Sequence, residues 1–358
     1  MNSEADLIVV GQGLSALTSA LWLHESGLKS LLVPAREQPD LSPMPDLTTM
    51  LPWRVSPMMT ALERRGLALV SDLSTRLALE IGVDIAPGAV SMLAVTSLLD
   101  DRASDSSSEA DELRHGLISD FESQLAEGYQ PIVCLPRQPA IRSERMARAL
   151  DLSLANRGVQ RQLRAPAERL IVTGNVVRGV ELEDGSILQA DATVLAADQA
   201  SARLLYESGL EGLAGEAIAV PALEFAPSTT ALGCALIAPE MMLMPQGGGT
   251  ILALSALEPG STRPMTIEQL RSNAHRRLPG LGRHDLKGWG QRPLPGPGSR
   301  ASIGAYPGIR GLWINTGHDA FGPLFAPAAA EFLAEQLAGG PPVAELQPTF
   351  SPSMQPSC

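Results

Sequence analysis

Apolar residues follow two rhythms along this chain. Near the N-terminus Leu7-Ile8-Val9-Val10 is an unbroken apolar run, the pattern of a short strand covered on both faces. Gly11-Gln12-Gly13 breaks it. From Leu14 to Ser26 the spacing turns helical, with Leu14, Leu17, Leu21 and Trp22 on one stripe and Gly27 placed to stop the helix. Leu31-Leu32-Val33 is a second buried run. Strand, glycine turn, helix and strand within about 30 residues make a βαβ unit.

Residues 34–60, rich in Pro, Met and Asp, predict an irregular loop, and 61–82 return to helical spacing. The polar, acidic stretch from Asp100 to Glu109 predicts a solvated surface loop. A helix is expected from Ser143 to Asn156, closed by Gly158. Val176, Val177, Val180 and Leu182, a turn at Glu183-Asp184-Gly185-Ser186, then Ile187 and Leu188 predict a hairpin. Thr193 to Ala197 is another buried strand, and 210–290 look strand-like and antiparallel, notably Thr229 to Ile237 and Thr250 to Ala256. From Gly288 a Pro/Gly loop leads to a strand at Leu312-Trp313-Ile314, a glycine loop and a closing helix from Ala326 to Leu337.

Composition narrows the picture. The chain has 358 residues, enough for about two domains and a sizeable core without staples. Its net charge of −12 argues against nucleic acid or an anionic membrane as the main partner. The three cysteines, Cys134, Cys234 and Cys358, are far apart and form no metal or disulfide pattern. No basic leader and no long apolar span are present, so a reducing cytoplasm is the expected home.

Gly11-x-Gly13-x-x-Ala16 lies between a buried strand and a helix, the context in which a dinucleotide fingerprint carries meaning. Gly11 allows the tight turn. Gly13 lets backbone approach a pyrophosphate seated on the helix N-terminus, beside Leu14 and Ser15, and Ala16 permits close helix–strand packing. The acid expected at the end of the second strand is replaced by Pro34, with Glu37 the nearest substitute. Arg36 is read as a solvated surface residue rather than as a reader of a 2′-phosphate.

Near the C-terminus, Trp289-Gly290-Gln291-Arg292-Pro293 is followed by Gly311-Leu312-Trp313-Ile314-Asn315-Thr316-Gly317-His318 and by Gly322-Pro323-Leu324-Phe325-Ala326-Pro327-Ala328-Ala329-Ala330-Glu331. Together with the fingerprint and the strand ending at Ala197, these residues resemble the D-amino-acid oxidase family of FAD-dependent oxidoreductases, and most closely its glycine oxidase-like members. The resemblance implies an α/β fold, a Rossmann-like FAD-binding domain with an inserted, mainly antiparallel β substrate domain. The FAD domain is expected from 1–85, 140–208 and 295–345, the substrate domain from 86–139 and 209–294, and a tail from 346–358. FAD would be held without a covalent bond by Gly11, Gly13, Leu14, Ser15, Ala16, Gly317, His318, Phe321, Gly322, Pro323 and Leu324. Arg292 would grip a substrate carboxylate, with Glu331 or Asp319 its partner if it is merely structural. His318 would shape the loop, and Trp289 and Tyr306 are wall or core aromatics.

The implied reaction is oxidation of a small amino acid or secondary amine by hydride transfer to flavin N5, followed by imine hydrolysis. No metal is implied, and a homo-oligomer or partner subunit is compatible. Four features depart from the family. Pro34 replaces the acid, Asp46 to Pro52 lack the usual small-residue loop, Met242-Leu243-Met244-Pro245-Gln246 lacks the tyrosine and arginine of the family's corresponding segment, and Ala196-Ala197-Asp198 stands where a glycine usually follows the strand. They leave open a second reading, a non-catalytic or partner-dependent flavoprotein subunit. A nicotinamide-dependent dehydrogenase is a third, though it gives the closing-helix motif no role.

Overall fold

The structure is a computed structural model that describes residues 6–36, 48–49, 57–85, 88–95, 114–126, 128, 132–211, 217–226, 232–255, 265–281, 286–295, 302–318 and 322–339. Its strands are β1 (Leu7–Val10), β2 (Ser30–Val33), β3 (Thr48–Thr49), β4 (Gly88–Val95), β5 (Arg114–Gly116) and β6 (Ile132–Arg142). They continue with β7 (Gln160–Arg161), β8 (Ala167–Thr173), β9 (Val176–Leu182), β10 (Ile187–Gln189), β11 (Ala192–Leu195) and β12 (Ala217–Phe225). The last six are β13 (Cys234–Ile237), β14 (Met241–Pro245), β15 (Ile251–Ser255), β16 (Leu286–Pro295), β17 (Ser302–Ala305) and β18 (Leu312–Thr316). The helices are α1 (Leu14–Glu25), α2 (Pro57–Ile81), α3 (Ile118–Phe121), α4 (Ser143–Asn156), α5 (Gln199–Glu207), α6 (Ile267–Arg277) and α7 (Gly322–Leu337).

One six-stranded sheet runs β17-β18-β11-β1-β2-β7. Strands β18, β11, β1, β2 and β7 are parallel, and β17 closes the edge antiparallel to β18. The strand period of two sorts the apolar run of β1 between two cores. Leu7 and Val9 pack with residues of α1, α2, α4 and α7, whereas Ile8 and Val10 face Val177, Val180, Leu204 and Leu205 from the β8–β10 sheet and α5. The central sheet is therefore covered on both sides, which is why its strands carry no polar alternation.

Helix α1 departs from the single stripe that its sequence predicts. It is buried all round from Ser15 to Leu23, because α4 and α7 flank it above the sheet. α2 and α7 approach so closely that a Cβ on Gly66 would lie 2.1 Å from the carbonyl oxygen of Leu324.

A second sheet runs β16-β12-β15-β14-β13-β4-β6-β3, with β5 on β6. Its core holds Leu223, Leu236, Leu243 and Leu254 under α6, which contributes Leu270 and Ala274, with Leu278 just past its end. Here two expectations are corrected. The segment from Gly288, expected as a Pro/Gly loop, begins inside a strand that pairs with β12 from Leu286 to Pro295. Pro293 and Pro295 are tolerated because β16 is the sheet edge. The region 210–290, expected as strands, also contains α6, whose start is set by a capping box. Gln269 N–H donates to Thr266 Oγ1 (3.2 Å) and Thr266 N–H to Gln269 Oε1 (2.8 Å). Similarly, α2 reaches back to Pro57, inside the expected loop. The loop expected from Asp100 to Glu109 lies outside the described residues. Cys134 and Cys234 are not joined in a disulfide, and no helix among the described residues is long and apolar enough to cross a membrane.

Gly66→Ala tests the helix crossing. Alanine favours helix by about 1 kcal/mol over glycine, but here its methyl meets a backbone carbonyl that cannot swing aside. Overpacking of this kind costs about 1–3 kcal/mol, so thermal denaturation should show a lower Tm than the wild type. An unchanged or higher Tm would mean the helices are not held at this separation.

Candidate active site

The parallel pairing sets Val10 beside Leu195, and Leu195 beside Ile314. The carboxyl ends of β1, β11 and β18 therefore finish side by side, and the loops that follow them meet at one edge. In parallel α/β sheets this edge is where ligands bind.

The first loop shows two glycines with different reasons. Gly11 has φ 142°, and a Cβ there would lie 2.2 Å from the carbonyl oxygen of Ala196. Its N–H donates to Val33 O (2.8 Å), while Ala196 N–H donates to Val10 O (2.9 Å). The fold itself requires glycine at this crossing. Gly13 has an ordinary φ of −83°. A Cβ there would meet only Asp198 Oδ2 at 3.6 Å, an ordinary contact. The fold thus leaves room at Gly13, and the space is available to a ligand.

Helix α1 begins without a side-chain cap and without an acid in its first turn. Ala16 and Leu17 N–H both donate to Gly13 O, at 3.1 and 3.0 Å. The amides of Leu14 and Ser15 come before the first helical acceptor, so they and the positive end of the helix suit an anion. Ala16 serves packing, being fully buried in the α1 core.

The third loop is tied to α1 by a directed chain of buried hydrogen bonds. His318 Nε2 lies 2.7 Å from Asn315 Oδ1, Asn315 Nδ2 donates to Ser19 Oγ (2.8 Å), and Ser19 Oγ donates to Ser15 O (2.6 Å). An amide oxygen can only accept, so with this amide orientation His318 carries its proton on Nε2, and Nδ1 presents a lone pair. That Nδ1 is buried with no protein partner. Burial also pushes the imidazole pKa down to about 4, so the ring is neutral near pH 7.

α7 starts right after this loop. Gly322 is buried, and a Cβ there would touch only His318 Cβ, at 4.0 Å. Thr18 Oγ1 reaches both Leu14 O (2.7 Å) and Ala326 O (3.3 Å), fastening the start of α1 to that of α7. The Pro323 and Leu324 side chains are buried, Leu324 against Leu62, Ile303 and Phe332. Leu324 is therefore core, and its backbone is what the first turn of α7 can offer a ligand.

Several other expected residues fall elsewhere. Tyr306 is buried among Leu204, Leu312 and Ile314, and its hydroxyl donates to Glu211 O (2.9 Å), so it is a core residue. Arg36 pairs on the surface with Glu183 (3.3 Å). Glu331 is taken by Arg65 in a two-pronged pair at 2.5 and 2.6 Å. Pro34 follows β2 and accepts from Ala167 N–H (2.8 Å). Arg292 stands on β16 opposite Val220. Its side chain and that of Trp289, together with Glu37, Phe321 and Asp319, lie outside the described residues.

Asp198 was legible in sequence only as a missing glycine, yet it lies at the centre of this edge. Its carboxyl oxygen accepts from Ser15 Oγ at 3.5 Å and is also bonded by the Thr316 side chain and Gly317 N–H. The residue is open to the cleft but crowded by protein on its other sides. That crowding, opposed by the three hydrogen bonds, pushes its pKa up to about 6.

Residues 6–336 match the DAO family, described as FAD dependent oxidoreductase. The chain is 30% identical to the glycine oxidase of Pseudomonas aeruginosa, over 96% of this chain and 97% of that one. It is also 30% identical to the glycine oxidase of Pseudomonas putida, over 84% of this chain and 85% of the relative. Among solved structures, glycine oxidase from Bacillus cereus superposes with a TM-score of 0.78 at 19% identity, covering 99% and 100% of the two chains. This chain belongs to the DAO family of FAD-dependent oxidoreductases. FAD is therefore its cofactor and redox chemistry its activity, and the nicotinamide reading is overturned. Nothing in these likenesses favours the non-catalytic reading. The open space at Gly13, the uncapped amides of α1 and the orphaned His318 Nδ1 fit a dinucleotide. Among the described residues at this edge, the Asp198 carboxylate does not fit an anionic group.

Two substitutions separate the glycine roles. Gly13→Val should lose most bound FAD, read as the flavin absorbance per protein, with a Tm near that of wild-type apoprotein. Gly11→Ala should lower the Tm of the apoprotein itself, because its methyl meets the Ala196 carbonyl. Full flavin content in the Gly13→Val protein would contradict this assignment.

Proposed function

We propose that this chain oxidises a small amino acid or secondary amine, and that its substrate carries a carboxylate. The observation that supports this reading most is the likeness to glycine oxidase along nearly the whole length of both chains. FAD, when bound, would supply the hydride acceptor for the substrate carbon; the imine so formed would take up water and break down to a 2-oxo acid and ammonia, or to a 2-oxo acid and an amine for a secondary amine.

The chain's own part is positional. The first turn of α1 holds the diphosphate through the amides of Leu14 and Ser15, with Gly13 leaving backbone bare. The N-terminus of α7, at Gly322, offers a positive dipole end to negative charge on the ring system. His318 Nδ1 can only accept, so it recognises a donor on the ligand and delivers no proton. Hydride transfer of this kind needs alignment and exclusion of water more than a strong protein base. In this reading segments 1–85, 140–208 and 295–345 carry FAD, and 86–139 and 209–294 shape the substrate side.

Arg292 is assigned to the substrate carboxylate, a role suited to a planar, always charged, two-pronged donor. Its place on the edge strand β16 makes it a contribution of the second sheet. A charged hydrogen bond is worth about 1.5–3 kcal/mol, and 1.4 kcal/mol is about tenfold. Arg292→Ala should therefore raise KM for glycine or a related amino acid by about 10- to 150-fold, with flavin content unchanged. An amine without a carboxylate should be much less affected. Steady-state flavin reduction with both substrate types checks this. Equal losses for both would place Arg292 in the fold or the cofactor site, and no loss for either would remove it from the site.

A further inference from the structure

Asp198 is the only residue other than glycine with a positive φ among the described residues, at φ 45° and ψ −117°. This is backbone territory for glycine, and an aspartate stays there only when its surroundings hold it. The holding groups come from two neighbouring loops. Ser15 Oγ in α1 lies 3.5 Å from Oδ1, and the Thr316 side chain and Gly317 N–H bond the carboxyl from the end of β18. Oδ2 lies 3.6 Å from where a Cβ on Gly13 would stand. A strained backbone position thus brings a carboxylate to the uncapped, donor-rich start of α1, where a phosphate group would otherwise sit.

We propose that Asp198 is an internal anion guarding the α1 N-terminus of the apoprotein, and that FAD binds with uptake of one proton at this carboxyl. The proposal rests on the placement of the diphosphate at Gly13 given above. Two anions a few ångströms apart cannot both keep their charge cheaply, so one takes a proton. The diphosphate is the stronger acid, which leaves the proton to Asp198. Crowding by protein already raises this pKa, and the incoming charge raises it further.

The sign follows from linkage. Below the apoprotein pKa the carboxyl is already neutral and FAD binding is insensitive to pH. Between that pKa and the higher value in the complex, each pH unit weakens binding by up to about tenfold. The groups that act on the carboxyl from α1 and β18 are Ser15, Thr316 and Gly317, none of which ionises in this range. His318, the next residue of the loop, stays neutral above about pH 5 because burial holds its pKa near 4. On its own helix Ser201 Oγ accepts from Ala197 N–H (3.1 Å), and the described cation of that helix, Arg203, lies five residues further on.

The test is titration of apoprotein with FAD, followed by flavin fluorescence, at about pH 5.5, 7 and 8.5. Wild type, Asp198→Asn and Asp198→Gly are compared, and calorimetry in two buffers of different ionisation heat counts protons. For wild type the Kd should rise by roughly 10- to 200-fold across this range, with nearly one proton taken up at the alkaline end. Both variants should bind FAD with a nearly flat pH profile, about tenfold or more tighter than wild type at pH 8.5. Asp198→Gly should also raise the apoprotein Tm by relieving the positive φ. A wild-type slope retained in either variant, or a flat wild-type profile, overturns the role of Asp198 while leaving the FAD site in place. Failure of all three proteins to bind FAD at any pH would overturn the diphosphate placement, and the proposal with it.

Discussion

The contact between the turn after β1 and the carbonyl of Ala196 is the constraint on which the rest depends. A Cβ at Gly11 would stand 2.2 Å from that oxygen, so the two chain segments can cross only at glycine. The crossing lets β1 and β11 run parallel to their ends and sets the first turn of α1 against the loop after β11. Pairing of β11 with β18 then brings the third loop to the same edge. A cofactor site made of backbone amides requires this convergence, since amides cannot be reoriented by a choice of rotamer as side chains can.

The helices reinforce the arrangement. α1 and α7 both begin at the carboxyl edge of the parallel sheet, and Thr18 Oγ1 of α1 reaches Ala326 O of α7 at 3.3 Å. The chain from His318 through Asn315 and Ser19 to Ser15 O ties the third loop to α1, with Ser19 Oγ accepting from Asn315 and donating to Ser15 O. Such networks are costly if left half-made in a low-dielectric interior. Completion of this one leaves His318 Nδ1 as its one orphan, in the loop that follows β18.

Much of this was legible in the sequence because its signals are local. The βαβ opening, the helix Ser143–Asn156 and the hairpin of β9 and β10 follow from apolar period and turn residues within short windows. The misses have non-local causes. β16 is a strand despite its prolines because nine residues of β12 pair with it. α1 is buried all round because α4 and α7 arrive from far along the chain. α6 carried a readable start in Thr266 and Gln269, but it lies in a stretch otherwise dominated by strand residues. The position of Asp198 depends on Ser15, 183 residues away, and on Thr316. Sequence alone showed that a glycine was missing there, but not that a carboxylate had moved onto a helix end.

The central claim is that the first turn of α1 is the diphosphate seat. The most direct measurement is a crystal structure of this chain with FAD, reading the distances from diphosphate oxygens to the amide nitrogens of Leu14 and Ser15. The account predicts hydrogen bonds of about 2.7–3.2 Å, with the diphosphate passing over the bare backbone of Gly13. A diphosphate bound away from α1, with those amides left to solvent or to the Asp198 carboxylate, would contradict it.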